Sequence, residues 1–144
     1  METPRKPRIM VVDDDRAELD GTLEAIRRHG VRYEARTAIG GFEALDYLLG
    51  LGRFHERLRH PLPDLILLDL GMDPLDGVAV LDRISRAEYL RHIPVVILCK
   101  SEWERERAMR ETAGACACVT KPLSTQSFHD VLLRAIPWTF DAEG

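Results

Sequence analysis

Leu65-Ile66-Leu67-Leu68-Asp69-Leu70-Gly71-Met72-Asp73-Pro74-Leu75-Asp76-Gly77 decides how this chain folds. Its aliphatic run suits a parallel strand buried on both faces. An aspartate ends the run abruptly, and a Met- and Pro-bearing loop leads to Asp76-Gly77, where a helix begins. A second run of this kind stands upstream: Ile9-Met10-Val11-Val12, closed by Asp13-Asp14. Acidic residues that end such strands lie at the carboxyl edge of the sheet, where ligands bind in open parallel sheets. With the two strands as neighbours, Asp13, Asp14 and Asp69 converge in one crevice. Like charges at that range hold a proton or recruit a cation. Oxygen-only ligands favour a hard divalent ion, Mg²⁺ above all where phosphate chemistry follows.

The alternation continues on both sides. A strand near Arg8 to Asp13 precedes a helix from Arg16 to His29, with Leu19, Leu23 and Ile26 on one stripe and Gly30 as its stop. Val31 to Thr37 alternates Val31, Tyr33 and Ala35 and reads as a second strand. A helix over Gly40–Leu51 is expected to turn Phe42, Leu45, Leu48 and Leu49 inward. The third strand is Asp64–Asp69, followed by a helix near Gly77–Arg86 with Val78, Leu81 and Ile84 inward. Pro94 opens a fourth strand, Val95–Cys99. Ser101 and Glu104 have the spacing of a capping box for a fourth helix. The fifth strand is Ala115–Thr120. A last helix begins near Ser124, with Phe128, Val131, Leu132 and Ala135 at helical spacing. Five strands alternating with five helices imply an α/β fold: a doubly wound parallel sheet with helices on both faces.

The chain's 144 residues favour one domain with a single sizeable core. The net charge of −4 argues against a general nucleic-acid binder. No run approaches a membrane span, and the basic, Pro-rich Met1–Arg8 precedes too short an apolar stretch for a signal peptide. A cytoplasmic location is expected, with no membrane partner. Three cysteines, Cys99, Cys116 and Cys118, make no disulfide framework. The five histidines lack metal-ligand spacing and read as surface or boundary residues. The segment from Gly50 to Pro63 is long for a helix-to-strand connection. Its Arg53, His55, Arg57, Arg59 and His60 allow a basic docking surface, though an extra helical turn plus loop is the simpler reading.

Thr120-Lys121-Pro122 ends the fifth strand, and a lysine there reaches back across the strand ends to the carboxylates. These residues in order resemble the response-regulator receiver family, the CheY-like, flavodoxin-like domain of two-component signalling. The resemblance rests on Val11-Val12-Asp13-Asp14, Leu67-Leu68-Asp69, Met72, Asp76-Gly77, Pro94 to Leu98 and Lys121-Pro122. It covers about Pro7 to Ile136 and leaves a C-terminal tail over 137–144. It implies the strand order 2-1-3-4-5. It implies Asp69 as acceptor of a phosphoryl group from a sensor histidine kinase. It implies Mg²⁺ held by Asp14, by Asp13 through water, by Asp69 and by the Gly71 backbone carbonyl. Lys121 would pair with Asp69 or its phosphoryl group, across a cis bond to Pro122. The long segment before the third strand also looks like single-domain receivers paired with bacterial phytochromes. The chain ends soon after the fifth helix, which points to a stand-alone receiver without an output domain. The resemblance favours a homodimer through the fourth helix, fifth strand and fifth helix, and Trp103, Trp138 and Phe140 are aromatics available to an interface.

Two family positions depart from the pattern. Cys99 stands where a Thr or Ser normally ends the fourth strand, and Cys118 where an aromatic often precedes the lysine by three residues. Both moving parts of the usual switch are therefore cysteine. Weaker or rerouted switching is expected. A Cys99–Cys118 redox pair is conceivable, but small strand hydrophobes are the simpler reading. One alternative is a non-phosphorylated pseudo-receiver that serves as a binding scaffold. Another is an aspartyl-phosphate phosphatase, which would want a general acid two residues after its nucleophile; Gly71 stands there. Helix N-capping explains Asp14, Asp15 or Asp76 singly but not the whole acidic set.

Overall fold

A computed structural model describes residues 5–143 of the chain. Met1–Pro4, part of the basic N-terminal stretch, and Gly144 of the tail lie outside the described residues. Among the described residues, five strands and five α-helices alternate: β1 (Arg8–Asp13), α1 (Arg16–His29), β2 (Glu34–Ile39), α2 (Gly41–Leu49), β3 (Leu65–Asp69), α3 (Gly77–Arg86), β4 (Val95–Cys99), α4 (Glu102–Glu111), β5 (Ala117–Thr120) and α5 (Thr125–Ala135), with short 3-10 turns at Gly52–Phe54 and Pro137–Glu143. All strand pairs are parallel, in the order β2-β1-β3-β4-β5. This is the doubly wound arrangement expected of the sequence.

Period-two alternation sorts the strand residues into two cores. Met10, Val12, Ile66, Leu68, Ile97 and Cys99 pack on one face against α2, α3 and Ala108 of α4. Ile9, Val11, Leu65, Leu67, Val96 and Leu98 pack on the other against Leu19 and Ile26 of α1 and Phe128, Val131 and Leu132 of α5. The central strands are buried on both sides, which is why their sequences are continuous aliphatic runs. Val12 pairs with Leu68, so Asp13 and Asp69, each one residue further on, arrive side by side at the carboxyl edge.

Three expectations need correction. The second strand runs over Glu34–Ile39 rather than Val31–Thr37. It is an edge strand whose only buried residue is Ala38, and Ala35 is exposed. Val31 and Tyr33 pack against the α1–α5 core before the strand begins, so their alternation is that of a covering segment. Phe42 points outward, 57% exposed, because the buried stripe of α2 is Gly41, Ala44, Leu45, Tyr47 and Leu48. β5 begins at Ala117, so Cys116 lies outside it.

The long segment from Gly50 to Pro63 contains a short 3-10 turn at Gly52–Phe54 and then folds back. Phe54 is buried, and its ring packs on Tyr47 (centroids 5.1 Å apart) and His60 (5.2 Å). Arg57 turns inward and donates to the carbonyls of Tyr47 (2.7 Å) and Leu48 (2.6 Å) at the end of α2. Arg53 pairs with Glu43 and Arg59 with Glu56. The basic residues thus have intramolecular partners, and packing explains the segment's length. The tail also packs locally: Trp138 and Phe140 rest against the α1–α5 core.

Helix caps follow the sequence with one variation. Ser101 accepts from the Glu104 amide, but the Glu104 carboxylate reaches the amide of Lys100, not that of Ser101. The reciprocal capping box forms at α5 instead, between Ser124 and Ser127.

Candidate functional site

The site lies where β1, β3 and β5 end. Asp69 closes β3 and is fully buried. Asp13 closes β1, is almost fully buried, and accepts from the Asp15 amide at 3.0 Å. Asp14 is exposed and accepts from the Asp73 amide at 3.2 Å, tying the β3–α3 loop to the end of β1. Carboxylate oxygens of Asp13, Asp14 and Asp69 all lie within 4.8 Å of one another. Asp15 and Asp76 stand apart from this cluster and cap α1 and α3. N-capping therefore accounts for those two and not for Asp14.

Gly77 makes this packing possible. A Cβ there would lie 2.7 Å from the Asp69 carbonyl oxygen and 3.0 Å from the Leu70 Cα. Only glycine lets α3 start so close behind the acidic strand end. Gly71 is exposed, and a Cβ on it would meet only the Glu104 carboxylate, at 3.5 Å.

Lys121 follows β5, joined to Pro122 by a cis bond as expected; a second cis bond, Asp73–Pro74, had no sequence signal. The Lys121 side chain is only 10% exposed. Its Nζ donates to Asp13 at 3.0 Å and to Glu18 at 3.2 Å. It also stands 2.8 Å from Asp69 Oδ1, the shortest of its three carboxylate approaches. Burial pushes the Asp69 carboxyl up to about 6, with Asp13 and Glu18 adding to the rise and Lys121 opposing it. Burial alone would lower the Lys121 value, but its contacts with Asp69 and Asp13 outweigh burial and hold the ammonium charged. A buried carboxylate whose oxygens lie within 4.8 Å of those of two more carboxylates is a donor set that fits a hard divalent cation.

Glu18 is a site residue that the sequence motifs do not mark. It lies in the first turn of α1, four residues after Asp14, and a helix starting at Arg16 turns it back toward the strand ends. That offset was the available signal.

Cys99 ends β4, fully buried, with its carbonyl accepting from the Lys121 amide at 2.7 Å. Burial, then nearby Cys118, Glu104 and Asp69, pushes its thiol up to about 11. Such a thiol stays protonated and is a poor nucleophile. Cys118 lies opposite Ile97, on the same face as Cys99, with its Sγ 3.9 Å from the Thr112 hydroxyl. All three cysteines are free. The small-hydrophobe reading accounts for Cys99.

The model of the response regulator receiver domain matches residues 9–133. The chain belongs to the response regulator receiver family. Its relatives include a probable methanogenesis regulatory protein, FilR2, of Methanothrix harundinacea: 35% identical over 116 residues, 81% of this chain and 72% of that one. Among solved structures, the bacteriophytochrome response regulator AtBRR is 34% identical with a TM-score of 0.82, covering 92% of this chain and 94% of that one. The phosphorylated cyanobacterial phytochrome response regulator RcpA is 29% identical with a TM-score of 0.76, covering 92% and 96%. This receiver thus shares its fold with phytochrome response regulators, and its acidic cluster occupies the carboxyl edge of the sheet. Among the described residues, no helix is long and apolar enough to cross a membrane.

Proposed function

We propose that Asp69 accepts a phosphoryl group from a histidine of a sensor kinase. The observation that carries this reading is a fully buried carboxylate whose Oδ1 stands 2.8 Å from the Lys121 ammonium, clustered with the carboxylates of Asp13 and Asp14. Phosphoryl transfer asks little covalent chemistry of a protein; it asks for position and for neutralisation of charge. Asp13, Asp14, Asp69 and the Gly71 backbone carbonyl would hold Mg²⁺. Mg²⁺ so held would offset the phosphoryl charge and orient the incoming group. Lys121 would move its donated hydrogen bonds onto a phosphoryl oxygen. The domain would thereby assist its own phosphorylation and dephosphorylation while acting as a signalling module, not as an enzyme on an outside substrate.

Similarity to AtBRR and RcpA supports a bacteriophytochrome-type kinase as the partner. Output would pass through protein contacts in the cytoplasm. A homodimer through α4, β5 and α5 is supported by three outward apolar side chains: Trp103 (70% exposed) and Met109 (59%) on α4 and Leu133 (50%) on α5. Light scattering at micromolar concentration, with and without beryllofluoride, tests it; a monomer in both refutes it.

Incubation with a labelled small phosphodonor and Mg²⁺ tests the main reading. Label in wild type and none in Asp69→Asn is the expected result. No label in either favours the second reading, a pseudo-receiver scaffold, for which the cysteines at positions 99 and 118 are the specific observation.

A further inference from the structure

Lys121 has three donor hydrogens, and their commitments are unequal. Two are directed at Asp13 and Glu18. The Asp69 Oδ1 stands closest of all, 2.8 Å from the ammonium. Glu18 stands outside the three-carboxylate cluster and is anchored on α1. Its second oxygen faces the exposed Lys100 ammonium at 3.7 Å. Glu18, Lys100 and Lys121 also line a cavity of about 390 Å³ whose lining includes Thr22, Pro122 and Leu123. We propose that Glu18 is a positioning residue, which competes with Asp13 and Asp69 for the Lys121 ammonium and so sets both cation affinity and phosphoryl acceptance. This rests on the reading of Asp69 as phosphoacceptor.

The two effects have opposite signs. Lys121 and a divalent cation compete for oxygens of Asp13 and Asp69. A carboxylate that draws the ammonium toward α1 leaves those oxygens freer, and its own charge attracts the cation. The same charge repels an incoming phosphate dianion and occupies the ammonium that a phosphoryl oxygen would need. With acetyl phosphate as donor, an Asp69 carboxylate oxygen bonds to phosphorus. The phosphorus–oxygen bond to acetate breaks, and acetate leaves with the electron pair. Every charge that opposes the approach slows that step.

Full-length wild type, Glu18→Gln, Glu18→Asp and Asp69→Asn are compared in two measurements. Mg²⁺ affinity is read by calorimetry without any phosphodonor. The limiting rate and half-saturating concentration of acetyl phosphate are read at saturating Mg²⁺. Glu18→Gln is expected to weaken Mg²⁺ binding roughly three- to tenfold and to raise the limiting rate by a similar factor. Glu18→Asp returns both toward wild type. If both quantities fall together in Glu18→Gln, or neither moves beyond about twofold, the proposal is overturned. Wild type that takes no phosphoryl group overturns the phosphoacceptor reading. The Mg²⁺ arm then still decides whether Glu18 sets cation affinity.

Discussion

The guanidinium of Arg57 donates to the carbonyl of Leu48 at 2.6 Å, closing α2 from nine residues further along the chain. A second bond goes to Tyr47 at 2.7 Å. The last carbonyls of a helix have no intrahelical partner; that of Tyr47 accepts from the Gly50 amide at 3.2 Å, and this planar fork adds a donor to Tyr47 and Leu48 at once. Arg57→Ala is expected to lower stability by about 2 kcal/mol, read from urea unfolding. Arg57→Lys should recover less than half of that loss, because an ammonium lacks the fork. Equal stability of Lys and Arg at this position would contradict the account.

Asp64 ties the far end of the sheet together. It accepts a bidentate contact from Arg5 (2.6 and 2.7 Å) and the Arg8 amide (2.7 Å). Burial acts to raise its carboxyl value, but Arg5 and the Arg8 amide outweigh burial and hold it below the usual range. A lowered value means stabilisation that is complete above the unfolded value of about 4 and lost as pH falls through the lower folded value. The stability gap between wild type and Asp64→Asn should therefore be full at about pH 6 and shrink below about pH 4. A gap that widens on acidification would refute this.

Gly77→Ala forces a methyl group against the Asp69 and Leu70 backbone. Neither neighbour is a flexible side chain, so strand or helix must shift. A loss of about 2 kcal/mol or more is expected, together with weaker Mg²⁺ binding as Asp69 is displaced. An alanine variant with wild-type calorimetric Mg²⁺ affinity would show that the close approach does not position the acceptor.

Cys99→Thr places a hydroxyl donor at the end of β4, beside Asp69. A thiol is a weak donor, so wild type should transmit little to α4 and β5 when a phosphoryl mimic binds. Amide exchange with and without beryllofluoride should show small changes over Ala108 to Thr120 in wild type and larger ones in Cys99→Thr. Large wild-type protection would mean that the cysteines switch after all.

The parts of the fold that were legible in the sequence are those where one physical demand dominates. Strands β1, β3 and β4 must be apolar on both faces, so their runs and the aspartates that close β1 and β3 stood out. Edge strand β2 is under no such demand: Glu34, Ala35 and Thr37 are exposed, so apolar residues before it displaced the reading by about three positions. Lys121 was visible because a strand end must deliver it. Glu18 and Arg57 act across the fold from helix and loop, where a charged residue is ordinarily a solvated one. Their roles depend on which groups the tertiary packing brings within reach, and no local pattern records that.

Arg5 grips Asp64 and also lies over the ring of Trp138, 5.5 Å from its centroid. The segment before β1 and the segment just after α5 therefore meet at the pole of the sheet opposite the acidic crevice. Threading order is thus separable from architecture. A circularly permuted chain, joined near Arg5 and Trp138 by a short linker and reopened at the exposed Glu88, would keep every strand neighbour and the same convergence of carboxylates.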